Sequence, residues 1–388
     1  LVTAVGSIPW LASQDGSGAW QTVQTGTSFV VNDSAGRYGV AWECAQASGQ
    51  PLVAIVQATT AETVDVTASC PPTPTAPADH IVSGQAYNMP TGGQVLVSIG
   101  SATATITNSN PSFSLTVPAG DYTFVARGLD ASGNPTRMVV QRNMTVSADM
   151  NWYPDMSSGT PYTQDTLMLA GIPSGENPRM AADLAASGGA PAEISSATAA
   201  SLRYPVVPAG LAMSSDRYLL AGLAGIGGPG VLIAQSVVVV AQTPTNGTLT
   251  LPSAFSGSNP IQVSGGTATW DWSGVTFSNA AGLGLYLASV VPSSLTAPTW
   301  RIVATAGWLG SSRTYTFPNF SATTGWTGSW AFPIGQNATA TLVAYQANLT
   351  YEQFMAAGLG PFSPVADYGS LPVGTTIELS VGSVIGTF

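Results

Sequence analysis

The stretch "GRYGVAWEC", residues 36–44, decides how this chain is read. Tyr38, Val40, Trp42 and Cys44 alternate with Gly39, Ala41 and Glu43. Successive side chains of an extended backbone point to opposite sides, so this two-residue period predicts a β-strand with one buried face. Cys44 falls in phase with the buried set. Only one other cysteine, Cys70, occurs in the 388 residues. It ends a second alternating run, Val64, Val66, Ala68, Cys70. Neither thiol has a basic neighbour or a helix start beside it to favour the thiolate. The pattern predicts a Cys44–Cys70 disulfide closing a loop of about 26 residues and contributing roughly 3 kcal/mol. Two inert buried thiols are the alternative. A disulfide in turn predicts an oxidising compartment.

Outward from that strand, the turn clusters "SQDGSG" (13–18), "NDSAGR" (32–37) and "ASGQP" (47–51) separate short strand patterns at 28–31, 38–44, 52–56 and 63–70. Short strands at this spacing predict a small, disulfide-stapled β-domain over 1–76. "CPPTPTAPAD" (70–79) is a stiff, extended connector. In the next unit, 77–156, three sets alternate: Val95, Val97 and Ile99; Phe113, Leu115 and Val117; Tyr122, Phe124 and Ala126. The remainder, 157–388, reads as a larger β-rich region of two modules dividing near 275. Two short helices are expected. One covers 177–189, with Asn177 as N-cap, Pro178 in the first turn and Gly188 at the stop. The other covers 350–358, with Thr350 and Gln353 at capping-box spacing and Gly358 to end it. Residues 218–242 carry no charge and are long enough to span a membrane. Their central "GGPG" and flanking β-branched runs predict two buried strands around a turn instead. The closing "ELSVGSVIGT" alternates only in part, without the long series of amphipathic strands that a membrane barrel needs. The fold class is therefore all-β, with several β-sandwich modules, immunoglobulin-like or transthyretin-like.

The stretches "GQAYNMPTGGQVLVSI", "VPAGDY" (117–122) and "TRMVVQRNMTV" in the 77–156 unit resemble the transthyretin-like or carboxypeptidase-regulatory-like β-sandwich of many bacterial surface proteins. Together with "SQDGSGAWQ" and "GRYGVAWEC", they resemble uncharacterised bacterial cell-surface lipoproteins built of β-modules. That resemblance implies a fold and a location more than a chemical act. Such lipoproteins begin at a lipid-bearing cysteine, whereas this chain begins at Leu1. A start without Met predicts a processed N-terminus with its signal segment removed, and a cloned fragment would look the same.

Charge is the compositional anomaly. Only 7% of residues are Asp, Glu, Lys or Arg, and all nine basic residues are arginine. Ordinary soluble domains carry about 25%. The net charge of −10, with no basic cluster, excludes nucleic acid as a partner. Residues 218–270 and 314–351 carry no charge at all. That half of the chain must solvate itself with hydroxyls and amides, or hide its surface against something else.

Chemistry-bearing motifs are sparse. His80 is the only histidine, and two cysteines with one histidine make no zinc set. Asp130 and Asn134 in "LDASGNP" offer oxygens of the calcium-binding type, but turn formation explains them. No phosphate-binding loop or dinucleotide fingerprint is present, so no cofactor and no metal are expected. Acid pairs on loops, Asp149 with Asp155 or Asp271, are the candidates for a secreted hydrolase. "TWDWSG" places Asp271 between Trp270 and Trp272. With Trp326 and Trp330, it is the candidate glycan-binding surface, since indole faces stack on sugar rings. Core packing of Trp270 and Trp272, with Asp271 turned outward, is the competing reading of the same i, i+2 spacing. "TLPSAFS" (250–256) and "TFPNFS" (316–321) each precede a tryptophan pair, either as a weak internal repeat or by chance.

These readings converge on a non-enzymatic protein of the cell surface or extracellular space. It is expected to assemble with copies of itself or with other envelope proteins, through edge-strand pairing or strand donation. Glycan-binding adhesion through the tryptophans is the second expectation, and a carboxylate-dependent hydrolase the third.

Overall fold

The computed structural model describes residues 2–387, other than 6–7, 27, 47–48, 71–75, 187–188, 229–230, 245, 256–260, 265–266, 273, 278–281 and 360–366. The fold is all-β, with two short α-helices and two single-turn 3-10 helices among the described residues. Its centre is a twelve-stranded sheet. The order across it is Ala192–Ala197, Asn177–Ala185, Arg217–Gly228, Val231–Ala241, Thr376–Thr387, Asn337–Ala347, Leu283–Pro292, Thr299–Thr305, Pro51–Thr59, Arg37–Ala45, Trp10–Asp15 and Gln21–Thr22. Neighbours run antiparallel, except that Thr299–Thr305 lies parallel to Pro51–Thr59.

"GRYGVAWEC" is a strand of this sheet, Arg37–Ala45, but both of its faces are covered rather than one. Val40, Trp42 and Cys44 enter a first core, shared with Leu285, Val303 and Phe354. Ala41 enters a second, aromatic core with Trp10, Ile55 and Trp300. A strand deep inside a broad sheet meets a layer on each side, so small residues take the second face. Gly39 is needed there: a Cβ would come within 2.7 Å of the Trp20 ring and 3.1 Å of Gln14 Oε1. The predicted disulfide is present, Cys44 bonded to Cys70.

The domain division is corrected in two places. Residues 1–76 do not close a core of their own, because Pro51–Thr59 is stitched to Thr299–Thr305. The regions on either side of 275 are also one sheet, since Val231–Ala241 pairs with Thr376–Thr387. The middle unit closes a core of its own, as a sandwich. A sheet of Ser112–Pro118, Asp79–Gln85 and Met150–Trp152 faces one of Thr160–Pro161, Pro135–Val146, Gly120–Leu129, Gln94–Ile99 and Ala102–Thr107. Val82, Val97, Phe124 and Trp152 fill the space between them.

Four local expectations meet the structure differently. The helix expected at 177–189 is the strand Asn177–Ala185, in which Met180, Ala182 and Leu184 are buried alternately. Pairing on both sides overrides the helix preference of its alanines; Gly188 lies outside the described residues. Residues 28–31 form no strand, although Phe29 and Val31 pack against the first core. The 350–358 helix forms as Tyr351–Ala356, with the Thr350–Gln353 capping box in place. Residues 218–242 form the antiparallel pair Arg217–Gly228 and Val231–Ala241. No helix among the described residues is long and apolar enough to cross a membrane.

Candidate functional site

The long sheet covers its two faces unequally. One face is roofed at one end by the aromatic core and at the other by a third core, where Met180, Leu220 and Val237 meet Leu167, Leu169 and Leu202. The opposite face is roofed only along part of the strands. There Leu219, Val240, Ile377 and Leu285 lie in the first core with Val66 and Phe354, beneath the parallel pair Val2–Val5 and Val66–Ser69 and the helix Tyr351–Ala356. The rest of that face is open. Along Asn337–Ala347, Ala338, Ala340, Leu342 and Ala344 are buried, while Thr339, Thr341 and Val343 between them are only half-buried. The same alternation runs through Leu379, Val381 and Ser383 on the neighbouring strand. Leu223, Leu232, Val291 and Ile385 are exposed at the far end of this face. Thr341 and Ser383 pair across it, hydroxyl to hydroxyl at 3.0 Å. Between strands Val231–Ala241 and Thr299–Thr305 its one charge is Arg301, whose pKa burial pushes down; beyond Leu223 and Leu219 the same face carries Arg179, Asp183 and Glu193.

The edges of this sheet are short or occupied. Gln21–Thr22 is two residues long, with Thr22 Oγ1 donating to Thr324 O at 2.6 Å. At the other edge the sandwich is docked: Ala190 N–H donates to Asp121 O at 2.7 Å, and Glu193 N–H to Gly100 O at 2.9 Å. The surface this sheet offers is therefore a face, and among the described residues the edge-to-edge mode expected from sequence finds no long free edge on it.

The candidate glycan-binding tryptophans separate into two groups. Trp270 and Trp272 are fully buried and meet edge to face at 5.8 Å. Trp270 also packs on Phe317 at 4.3 Å. Asp271 between them is only partly buried. Neither indole presents a face to a ligand, and the arrangement is the core packing that the i, i+2 spacing also allowed. Trp326 and Trp330 are half-buried, packed against Trp10 at 4.8 and 6.4 Å. Phe255, Phe317 and Phe320 of the two similar segments all lie in this one aromatic core.

The other candidates hold structure in place. His80 Nδ1 lies 3.9 Å from Asp149 Oδ1, which accepts the Ile81 N–H at 2.8 Å. Asp130 accepts from the Ser132 and Asn134 backbone amides and from Asn134 Nδ2, as the side chain of a turn does. No group of three or more His, Cys, Asp or Glu among the described residues is placed to hold a metal ion.

Sequence reading missed an acid pair. Asp183 and Glu193 face each other across adjacent strands. They sit beside a cleft of about 420 Å³ that Arg179, Glu193 and Ser196 help to line. Glu193 accepts from Ser196 Oγ at 2.8 Å. Burial, and then the Glu193 charge, raises Asp183 from its ordinary 3.8 to about 6. The signal was the acid on each side of "AASGGAPA", which reads as a hairpin once the helix is set aside. Because the folded-state value is raised, ionising Asp183 opposes folding: the penalty is absent below pH 4, grows between pH 4 and 6, and is complete above. Asp183→Asn should stabilise the chain by about 2 kcal/mol at pH 8 and leave it unchanged at pH 3.5. Denaturant titrations at the two pH values measure this, and equal effects at both would refute it.

Comparison with known protein families and with curated proteins finds no match to this chain.

Proposed function

We propose that this is a non-catalytic structural protein of the cell surface or extracellular space, which assembles by packing the open face of its long sheet against a second copy. The observation that carries the reading is the near absence of charge on the stretch of that face between Val231–Ala241 and Thr299–Thr305. Two chains of net charge −10 repel wherever their acids meet. On that stretch the one charge, Arg301, is basic and the other positions are mainly Ser, Thr, Ala, Val, Leu and Ile; the acids Asp183 and Glu193 lie beyond it. Sheet faces of this kind pack about 10 Å apart with interdigitating side chains. The Cys44–Cys70 bond supports an oxidising location. β-Sandwich architecture like that of the middle unit recurs in many cell-surface domains.

Sedimentation over a wide concentration range, with electron microscopy of the concentrated protein, tests the reading. The expected result is concentration-dependent self-association that Leu232→Asp with Ile385→Asp abolishes. Both side chains are exposed, so the double variant should keep its thermal stability within about 1 kcal/mol. A parent chain that stays monomeric at the highest attainable concentration would overturn the proposal.

A further inference from the structure

Among the described residues the exposed aromatic side chains lie on the sandwich, away from Trp326 and Trp330. Tyr87 and Tyr153 are 47% and 54% exposed. Their ring centroids are 6.1 Å apart and their planes are tilted by 38°. The two segments are locked together by backbone hydrogen bonds, Tyr87 N–H to Pro154 O at 2.9 Å and Met156 N–H to Tyr87 O at 3.0 Å. Two residues beyond Tyr153 in sequence, and bridged to Tyr87, is Asp155. Its Oδ1 accepts three hydrogen bonds, from Asn88 Nδ2, Ser157 N and Ser157 Oγ, each at 2.8 Å. Its Oδ2 accepts none from the described residues. These bonds, that of Asn88 first, hold the carboxyl below its ordinary pKa, so it remains an acceptor across the physiological range. Asn88 adopts a left-handed backbone conformation, φ 51°, which asparagine tolerates better than other non-glycine residues. A cleft of about 400 Å³, lined by Asn88, Pro90, Arg137, Met156 and Ser157 among others, adjoins them.

We propose that Tyr87, Tyr153, Asn88 and Asp155 form a carbohydrate-binding platform for neutral pyranosides. Two adjoining rings offer stacking surfaces for the C–H faces of sugar rings. Asp155 Oδ2 and the Asn88 carbonyl oxygen stand beside them as fixed acceptors for hydroxyl donors, and a preorganised acceptor loses little on binding. Uronic acid and sulfated polymers are disfavoured, because the free carboxylate oxygen would face their charge. A quaternary ammonium would also suit aromatic rings beside a carboxylate. Two rings tilted by only 38° form an open platform, however, rather than the enclosing walls a cation cage requires.

The test is calorimetric or NMR titration of the full chain with hexamers of β-1,4-glucose, N-acetylglucosamine and mannose, and separately with tetramethylammonium. Binding of at least one neutral hexamer is expected. Tyr87→Ala and Tyr153→Ala should each weaken it about tenfold, or about 1.4 kcal/mol. Asp155→Asn should weaken it too, and Trp326→Ala should leave it intact. Tyr87 and Tyr153 are surface side chains, so matched thermal unfolding curves confirm that the variants fold. Failure of all three hexamers, binding that survives the double tyrosine variant, or saturable binding of tetramethylammonium in their place would overturn the proposal. None of these outcomes bears on self-association, which uses a different face.

Discussion

Replacing Asp216 by alanine is expected to lower the stability of the chain by about 3–5 kcal/mol, among the largest effects of any single substitution here. Asp216 is 3% exposed. Its carboxylate receives Arg142 in a fork, Nε to Oδ1 at 2.8 Å and Nη2 to Oδ2 at 2.5 Å. Met213 N–H donates to Oδ2 at 2.9 Å, and Arg142 Nη2 reaches Leu211 O at 2.8 Å. Arg142 belongs to the sandwich strand Pro135–Val146, while Asp216 immediately precedes Arg217–Gly228 of the long sheet. The pair thus pins one unit to the other. Deleting the acid leaves a guanidinium buried without its counter-charge, and that penalty dominates the loss. Arg142→Met with Asp216→Leu removes both charges and should lose less than Asp216→Ala alone. Chemical denaturation of the three variants measures both statements. A loss below about 1 kcal/mol for Asp216→Ala, or one that added salt erases, would show an exposed pair of small worth instead.

Local pattern carried much of the fold. The two-residue period of residues 38–44 predicts a strand and places Cys44 inward, and Arg37–Ala45 shows both. The Thr350–Gln353 spacing predicts a capped helix that forms. Partners are harder to read than elements. Nothing in "PLVAIVQAT" (51–59) announces a parallel neighbour at Thr299–Thr305, almost 250 residues further on. A run of turns and short strands at 1–76 therefore looks self-contained until the sheet is seen. The helix expected at 177–189 fails for a related reason. Asn, Pro and Gly punctuate strands as well as helices, and only pairing with Arg217–Gly228 and Ala192–Ala197 selects the strand. Sites follow the same rule. The burial of Trp270 and Trp272 was legible as one of two readings of their spacing. The Tyr87–Tyr153 platform was not, because it depends on a bridge between Asn88 and Asp155, 67 residues apart.

Cleaving the Cys44–Cys70 bond is the second large effect expected, about 3 kcal/mol for a loop with a sequence separation of 26. The structure says where that loss falls. Among the described residues Val66–Ser69, which leads into Cys70, pairs along its length only with Val2–Val5. This two-stranded sheet covers the first core, where Val2, Val66 and Ala68 are buried against Trp42 and Cys44. Beyond side-chain packing, its ties to the long sheet include the disulfide and the hydrogen bond from Trp42 Nε1 to Ser69 O at 3.1 Å. Reduction therefore acts twice. It frees the unfolded chain, and it loosens a cover whose own backbone bonding is too slight to hold it closed. Cys44→Ala with Cys70→Ala should shift the denaturation midpoint by the full amount. Hydrogen exchange should then rise first at 66–69 and 2–5, ahead of Arg37–Ala45, which is paired on both sides. If those segments exchange no faster than Arg37–Ala45 in the reduced protein, packing alone holds the cover. The disulfide would then act solely on the unfolded state.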